Sequence, residues 1–120
     1  PPESVYNLSV LMRQDHCHDW EIPFFNFVDA FRRTKNLSLV KEAPDFDLEE
    51  KFLAIIAATV ETLCQELHLP KPFWCESAPV LAVPFFVSGV ENLKAMALVD
   101  SPVYFRQRNV FVLRNFLKRI

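Results

Sequence analysis

Five consecutive residues, Asp15-His16-Cys17-His18-Asp19, each carry a side chain able to ligate a metal ion. Zinc takes four nitrogen or sulfur ligands in a tetrahedron. Cys64 and His68 are spaced so that on a helix they share one face, and Cys75 lies just beyond. A site drawing His16 or His18 together with Cys64, His68 and Cys75 is chemically reasonable. The spacing argues against it, because neither a CxxC pair nor an HExxH helix is present. A polar connection plus two core thiols accounts for the same residues, since unbridged cysteines are commonly buried. The expectation is no bound metal and no cofactor.

Other chemistries fare no better. Cys64 beside His68 has the makings of a thiolate pair, yet no third residue offers an orienting role. Ser88 and Ser101 read as helix caps. Asp45, Asp47, Glu49 and Glu50 cluster where a helix begins, and acids there complement its dipole. Gly89 is the only glycine. Its isolation excludes the G-x-G-x-x-G dinucleotide fingerprint, the phosphate-cradling P-loop and the G-x-S-x-G nucleophile elbow. The expectation is a protein that is not an enzyme.

Composition bounds the remaining classes. The chain has 120 residues, 51% of them hydrophobic, with twelve Phe and nine Pro. That is one domain with a real core, and far too apolar to be disordered. The longest apolar run, residues 78–87, is too short to span a bilayer. Three cysteines, no charged-then-apolar leader and a first residue other than Met point to a cytoplasmic chain with reduced thiols and a trimmed start. The net charge of −2 hides an asymmetry, because Arg106, Arg108, Arg114, Lys118 and Arg119 stand in the last twenty residues without an acid. A basic end on an acidic body can meet a polyanion or an acidic protein surface.

The elements that must position these residues are mainly helices. Residues 4–13 have helical spacing, with Ser4 as cap. Phe24, Phe27, Val28 and Phe31 form an aromatic stripe on a second helix, started near Pro23 and ended by Arg32, Arg33 and Lys35. Residues 47–68 read as one long buried helix with capping-box spacing between Asp47 and Glu50. Pro70 and Pro72 end it, and Phe73 and Trp74 are expected to fold back onto the core. A short helix is expected over 78–83, another from the Ser88-x-x-Glu91 box, and another after Ser101-Pro102. Residues 110–113 have strand character, to be paired by residues 37–40 or by a subunit mate. The fold expected is mostly α: a single domain, 1–120, around one long central helix, with at most short strands at 37–40 and 110–113. Residues 1–43 form an N-terminal helical part, and residues 44–120 a core part.

Leu67-His68-Leu69-Pro70, Pro72 and Trp74 precede Pro84-Phe85-Phe86-Val87-Ser88. Later come Ala97-Leu98-Val99, Ser101-Pro102, Phe105-Arg106 and Arg108-Asn109-Val110-Phe111-Val112. This arrangement resembles a widespread, uncharacterised group of small bacterial proteins with the pattern LP.P.W, PWF, LRA.ALVESP..FR.RN.FV. Members are sometimes labelled helix-turn-helix regulators, and some are encoded beside nucleotidyltransferase-like toxins. Phe85 stands where the pattern has Trp, and Lys94 where it has Arg. The resemblance covers somewhat under half of the chain and brings no catalytic residue with it. It implies a bacterial regulatory setting, with a toxin-like nucleotidyltransferase as partner.

The aromatic surplus points the same way. Adjacent pairs such as Phe24-Phe25 and Phe85-Phe86 cannot both face inward from one element, and aromatics are enriched at interfaces. Tyr104, Arg106 and Arg108 could grip nucleic acid, but the chain is slightly acidic and the favoured role of Arg106 and Arg108 is to fix the turn before the strand by bonding carbonyls or acids such as Asp100. Phe25, Phe86, Tyr104, Arg106 and Arg108 are therefore the candidate partner-binding residues. The expected function is a protein-interaction or regulatory domain, antitoxin-like, binding a protein partner or a second copy and no membrane. The alternative is a metal-binding or nucleic-acid-acting protein using His16, His18, Cys64 and His68 or the basic C-terminal segment.

Overall fold

The longest helix is enclosed by the rest of the chain. A computed structural model describes residues 2–118. In it α1 spans Val5–Gln14, α2 Glu21–Thr34, α3 Ser38–Lys41 and α4 Glu50–Leu67. Every residue of α4 from Phe52 to Val60 is buried. Ala54, Ala57 and Ala58 favour the helix and let neighbours approach closely, while Glu50 in its first turn suits the dipole. Two short helices follow, α5 at Lys94–Asp100 and α6 at Val103–Gln107. α4 packs against α6, and α1 against α2 and α3. The fold is mostly helical around one long central helix, as expected. No helix among the described residues is long and apolar enough to cross a membrane.

Helix ends are made without glycine. His68 terminates α4 with φ 58°, and Leu69 N–H donates to the Cys64 carbonyl at 2.8 Å, the 6→1 bond of a Schellman turn. Lys35 ends α2 in the same left-handed region, φ 51°. Gly89 has no positive φ, and a Cβ there would meet nothing within 4 Å. Pro70, two residues past the His68 cap, keeps the chain from resuming the helix.

Several local expectations need correction. Residues 37–40 are not a strand. Asn36 Oδ1 accepts from Ser38 N–H at 3.0 Å and starts the turn of α3, which buries the adjacent Leu39 and Val40 as a helix does and a strand does not. The strand at β2, Val110–Phe111, pairs instead in parallel with β1, Phe85–Phe86. On its other side the Ser101 hydroxyl accepts from Val112 N–H at 2.8 Å and reaches the Ala97 carbonyl at 2.5 Å. Ser101 therefore clasps the strand rather than capping α6, whose N-cap is Pro102. Residues 78–83 form no helix but an irregular segment with bends, in which Arg108 and Asn109 side chains take the carbonyls of Ala78, Pro79 and Leu81. Neither capping box forms. α4 begins at Glu50 with Glu49 as N-cap, while Asp47 N–H turns back to Asp45 Oδ1. Ser88 Oγ meets Val90 N–H, and the turn Glu91–Leu93 preceding α5 is a 3₁₀ turn. Ser4 does cap α1, accepting from Asn7 N–H at 3.1 Å.

Candidate interaction groove

The prolines that end α4 also build a wall. Pro70 and Pro72 fix φ and carry no N–H, so the segment crosses the surface as a stiff strap before a 3₁₀ turn at Phe73–Ser77. Opposite it lies α3. Between them is an open groove of about 650 Å³, floored by Leu37, Val40, Ala43, Pro70 and Trp74. The walls are tied together where Trp74, buried, donates its indole N–H to the Val40 carbonyl at 2.7 Å. Phe73, the preceding residue, is 90% exposed. It does not fold back as expected. A tight turn can bury only one of two adjacent large side chains, and Trp74 takes the inward position because its N–H finds an acceptor there. The doublet reasoning applied to Phe24-Phe25 and Phe85-Phe86 would have flagged Phe73-Trp74 as well.

Two cations stand at this groove, Lys41 and Lys71, and no carboxylate lines it. Lys71 Nζ sits 4.6 Å above the Tyr104 ring and 3.4 Å from its hydroxyl. Tyr104 thus stands beside the groove through its contact with Lys71.

The far end of the 3₁₀ turn is held by Arg108. Its Nη2 donates to the Cys75 carbonyl at 2.7 Å and its Nη1 to Ala78 O at 3.0 Å, while Nε meets Glu61 Oε1 at 2.9 Å. Arg108 is buried. It takes the turn-fixing role, which removes its charge from the surface. Arg106 is exposed on α6. Phe25 is half-buried, 5.5 Å from the Phe116 ring, and Phe86 stacks 5.1 Å from Phe111 with Lys94 over its ring. Much of each aromatic doublet is thus covered from within the chain. In the basic end, Arg114 pairs with Asp100, and Arg119 lies outside the described residues.

The metal-ligand candidates are not brought together. Cys64 is buried on α4 and Cys75 in the 3₁₀ turn, whereas His68 is the exposed helix terminator and His16 and His18 are exposed in the α1–α2 connection. Among the described residues the group that converges is Asp15, His18 and Asp19, all exposed, with ligand atoms within 4.8 Å of one another. Burial pushes the Cys75 thiol up to about 12, with Glu61 adding to the effect and Arg108 opposing it. Burial likewise raises Cys64. Both thiols stay protonated at neutral pH, which is the wrong state for a nucleophile.

Comparison with known proteins finds no matching family model, no matching curated protein and no matching solved structure.

Proposed function

We propose that this chain is a non-enzymatic protein-interaction domain that docks a partner at the groove between α3 and the Pro70–Trp74 strap. The observation that carries the reading is Phe73, a large apolar side chain held 90% in solvent beside an apolar floor. An aromatic in that position costs solubility unless a partner covers it, and exposed apolar patches mark interfaces. The wall is stiff, so little conformational entropy is lost when it is covered. Buried, protonated thiols and a converging ligand group, Asp15, His18 and Asp19, that is fully exposed give catalysis no comparable support. The finer setting, a bacterial cytoplasmic regulator paired with a nucleotidyltransferase-like toxin, rests on the resemblance of residues 63–113.

The test is a photo-crosslinking amino acid placed at position 73 in the source cells, with the exposed position Glu3 as control. A protein crosslinked from position 73 and not from position 3 supports docking at the groove. Crosslinking that is absent, or equal at both positions, refutes it. Identification of the captured protein as a nucleotidyltransferase supports the toxin pairing, and any other identity refutes that finer claim.

A further inference from the structure

We propose that the groove's occupant is an acidic linear segment of a partner protein, its apolar side chains on the floor and its carboxylates on Lys41 and Lys71. The inference rests on the docking role of the groove and adds the chemistry of what docks.

Charge carries it first. The residues before position 101 sum to −7, yet the ionisable side chains lining the groove are both lysines. Several basic side chains elsewhere are matched within the chain, Arg13 with Asp45, Arg32 with Glu66, Lys94 with Glu91 and Arg108 with Glu61, whereas Arg33, Lys35 and Arg106 join no ion pair among the described residues. Among the described residues neither Lys41 nor Lys71 joins an ion pair. Lys71 is instead steadied over Tyr104, whose ring stabilises the cation without neutralising it. Two unneutralised cations flanking an apolar floor complement a ligand that is apolar between carboxylates.

The backbone decides how such a ligand is held. Pro70 and Pro72 offer no N–H, so this wall cannot extend a hydrogen-bond ladder to an added strand. Recognition therefore falls to side chains: an aromatic or leucine anchor seated on Trp74 and covered by Phe73, with the lysines fixing register. A nucleic acid would engage the two cations and leave the carbon floor unused, so it fits the groove less well.

The experiment pans a library of short random peptides displayed on phage against the intact chain. The winning sequence is then made synthetically and its binding followed by fluorescence anisotropy. The expected winners place Asp or Glu next to Leu, Phe or Trp. Their affinity should fall about tenfold or more with the K41E/K71E double substitution, fall in F73A, and weaken as salt rises. A charge-reversed peptide should bind K41E/K71E better than the original protein. All three lysine and phenylalanine positions are exposed, and matching circular dichroism melts confirm that the variants fold. No enrichment, winners that are neutral or basic, or winners indifferent to K41E/K71E overturn the inference. So does a single-stranded oligonucleotide that competes at the groove, or a crosslink from position 73 to a second copy of the chain. A crosslink to a protein whose docked segment is not acidic overturns the acidic occupant and leaves the docking role standing. No crosslink and no enrichment remove both.

Discussion

Arg108→Met is the perturbation whose consequence can be worked most fully. Glu61 reaches out from the buried length of α4, and its carboxylate meets Arg108 Nε at 2.9 Å, with the two side chains only 12% and 9% exposed. The same guanidinium holds the carbonyls of Cys75, Ala78 and Pro79. Methionine fills the volume of the stem but donates nothing. It leaves one carboxylate and several carbonyls without their partner in a poorly hydrated site. Breaking a buried pair from one side costs about 3–5 kcal/mol, a large share of the roughly 5–15 kcal/mol that holds a domain together. Urea unfolding followed by circular dichroism should show a drop of that size, or no folded baseline. Glu61→Gln, which keeps an oxygen for Nε and leaves the carbonyl bonds intact, should cost less. The double variant Arg108→Met/Glu61→Leu strands no charge and should recover part of the loss, giving a coupling energy of about 1–3 kcal/mol. Arg108→Met within about 1 kcal/mol of the parent, or a double variant no better than the single, would refute the reasoning. Because Arg108 anchors the turn bearing Phe73 and Trp74, its loss should also redden Trp74 fluorescence in a Trp20→Phe background.

Three further substitutions probe other features. The buried Thr59 hydroxyl has no hydrogen-bond partner among the described residues, so Thr59→Val should stabilise by about 1 kcal/mol in the same denaturant assay, and a loss of stability would contradict it. His68→Gly relieves a left-handed conformation at φ 58° and should raise stability by about 0.5 kcal/mol or more. An unchanged or lower melting temperature would show that the turn carries no strain. Cys75 binds its proton more tightly folded, at about 12, than unfolded, near 8.5. Stability from this group is therefore full below the unfolded value and falls as pH climbs from there toward the folded one. Cys75→Ala should flatten that alkaline decline, and an Ellman titration of the native protein should find Cys64 and Cys75 unreactive until denaturant is added.

Local signals in this chain were readable because their causes are local. The wide apolar arc of residues 52–67 specifies a largely buried helix whatever packs around it. Pro70 must end that helix, and the hydroxyl of Ser4 needs only its own turn to act as a cap. The scarcity of glycine was readable too, though its consequence was not complete. His68 and Lys35 adopt left-handed conformations that glycine usually supplies, because the bonds closing the helix ends outweigh the steric cost. What the tertiary structure alone decided are partnerships between distant residues. The strand at 110–111 took Phe85–Phe86 because the chain returned there, and residues 37–40 were left to curl around Asn36. A turn-fixing role for Arg108 is legible in the sequence, but its partners are not. It became an internal fastener when α4 supplied Glu61 and the 75–79 segment supplied the carbonyls of Cys75, Ala78 and Pro79. The groove has the same origin. Its two walls lie about thirty residues apart along the chain, and composition cannot say which of two adjacent aromatics turns inward. That choice was made by one hydrogen bond, from the Trp74 indole to Val40, and it left Phe73 facing water.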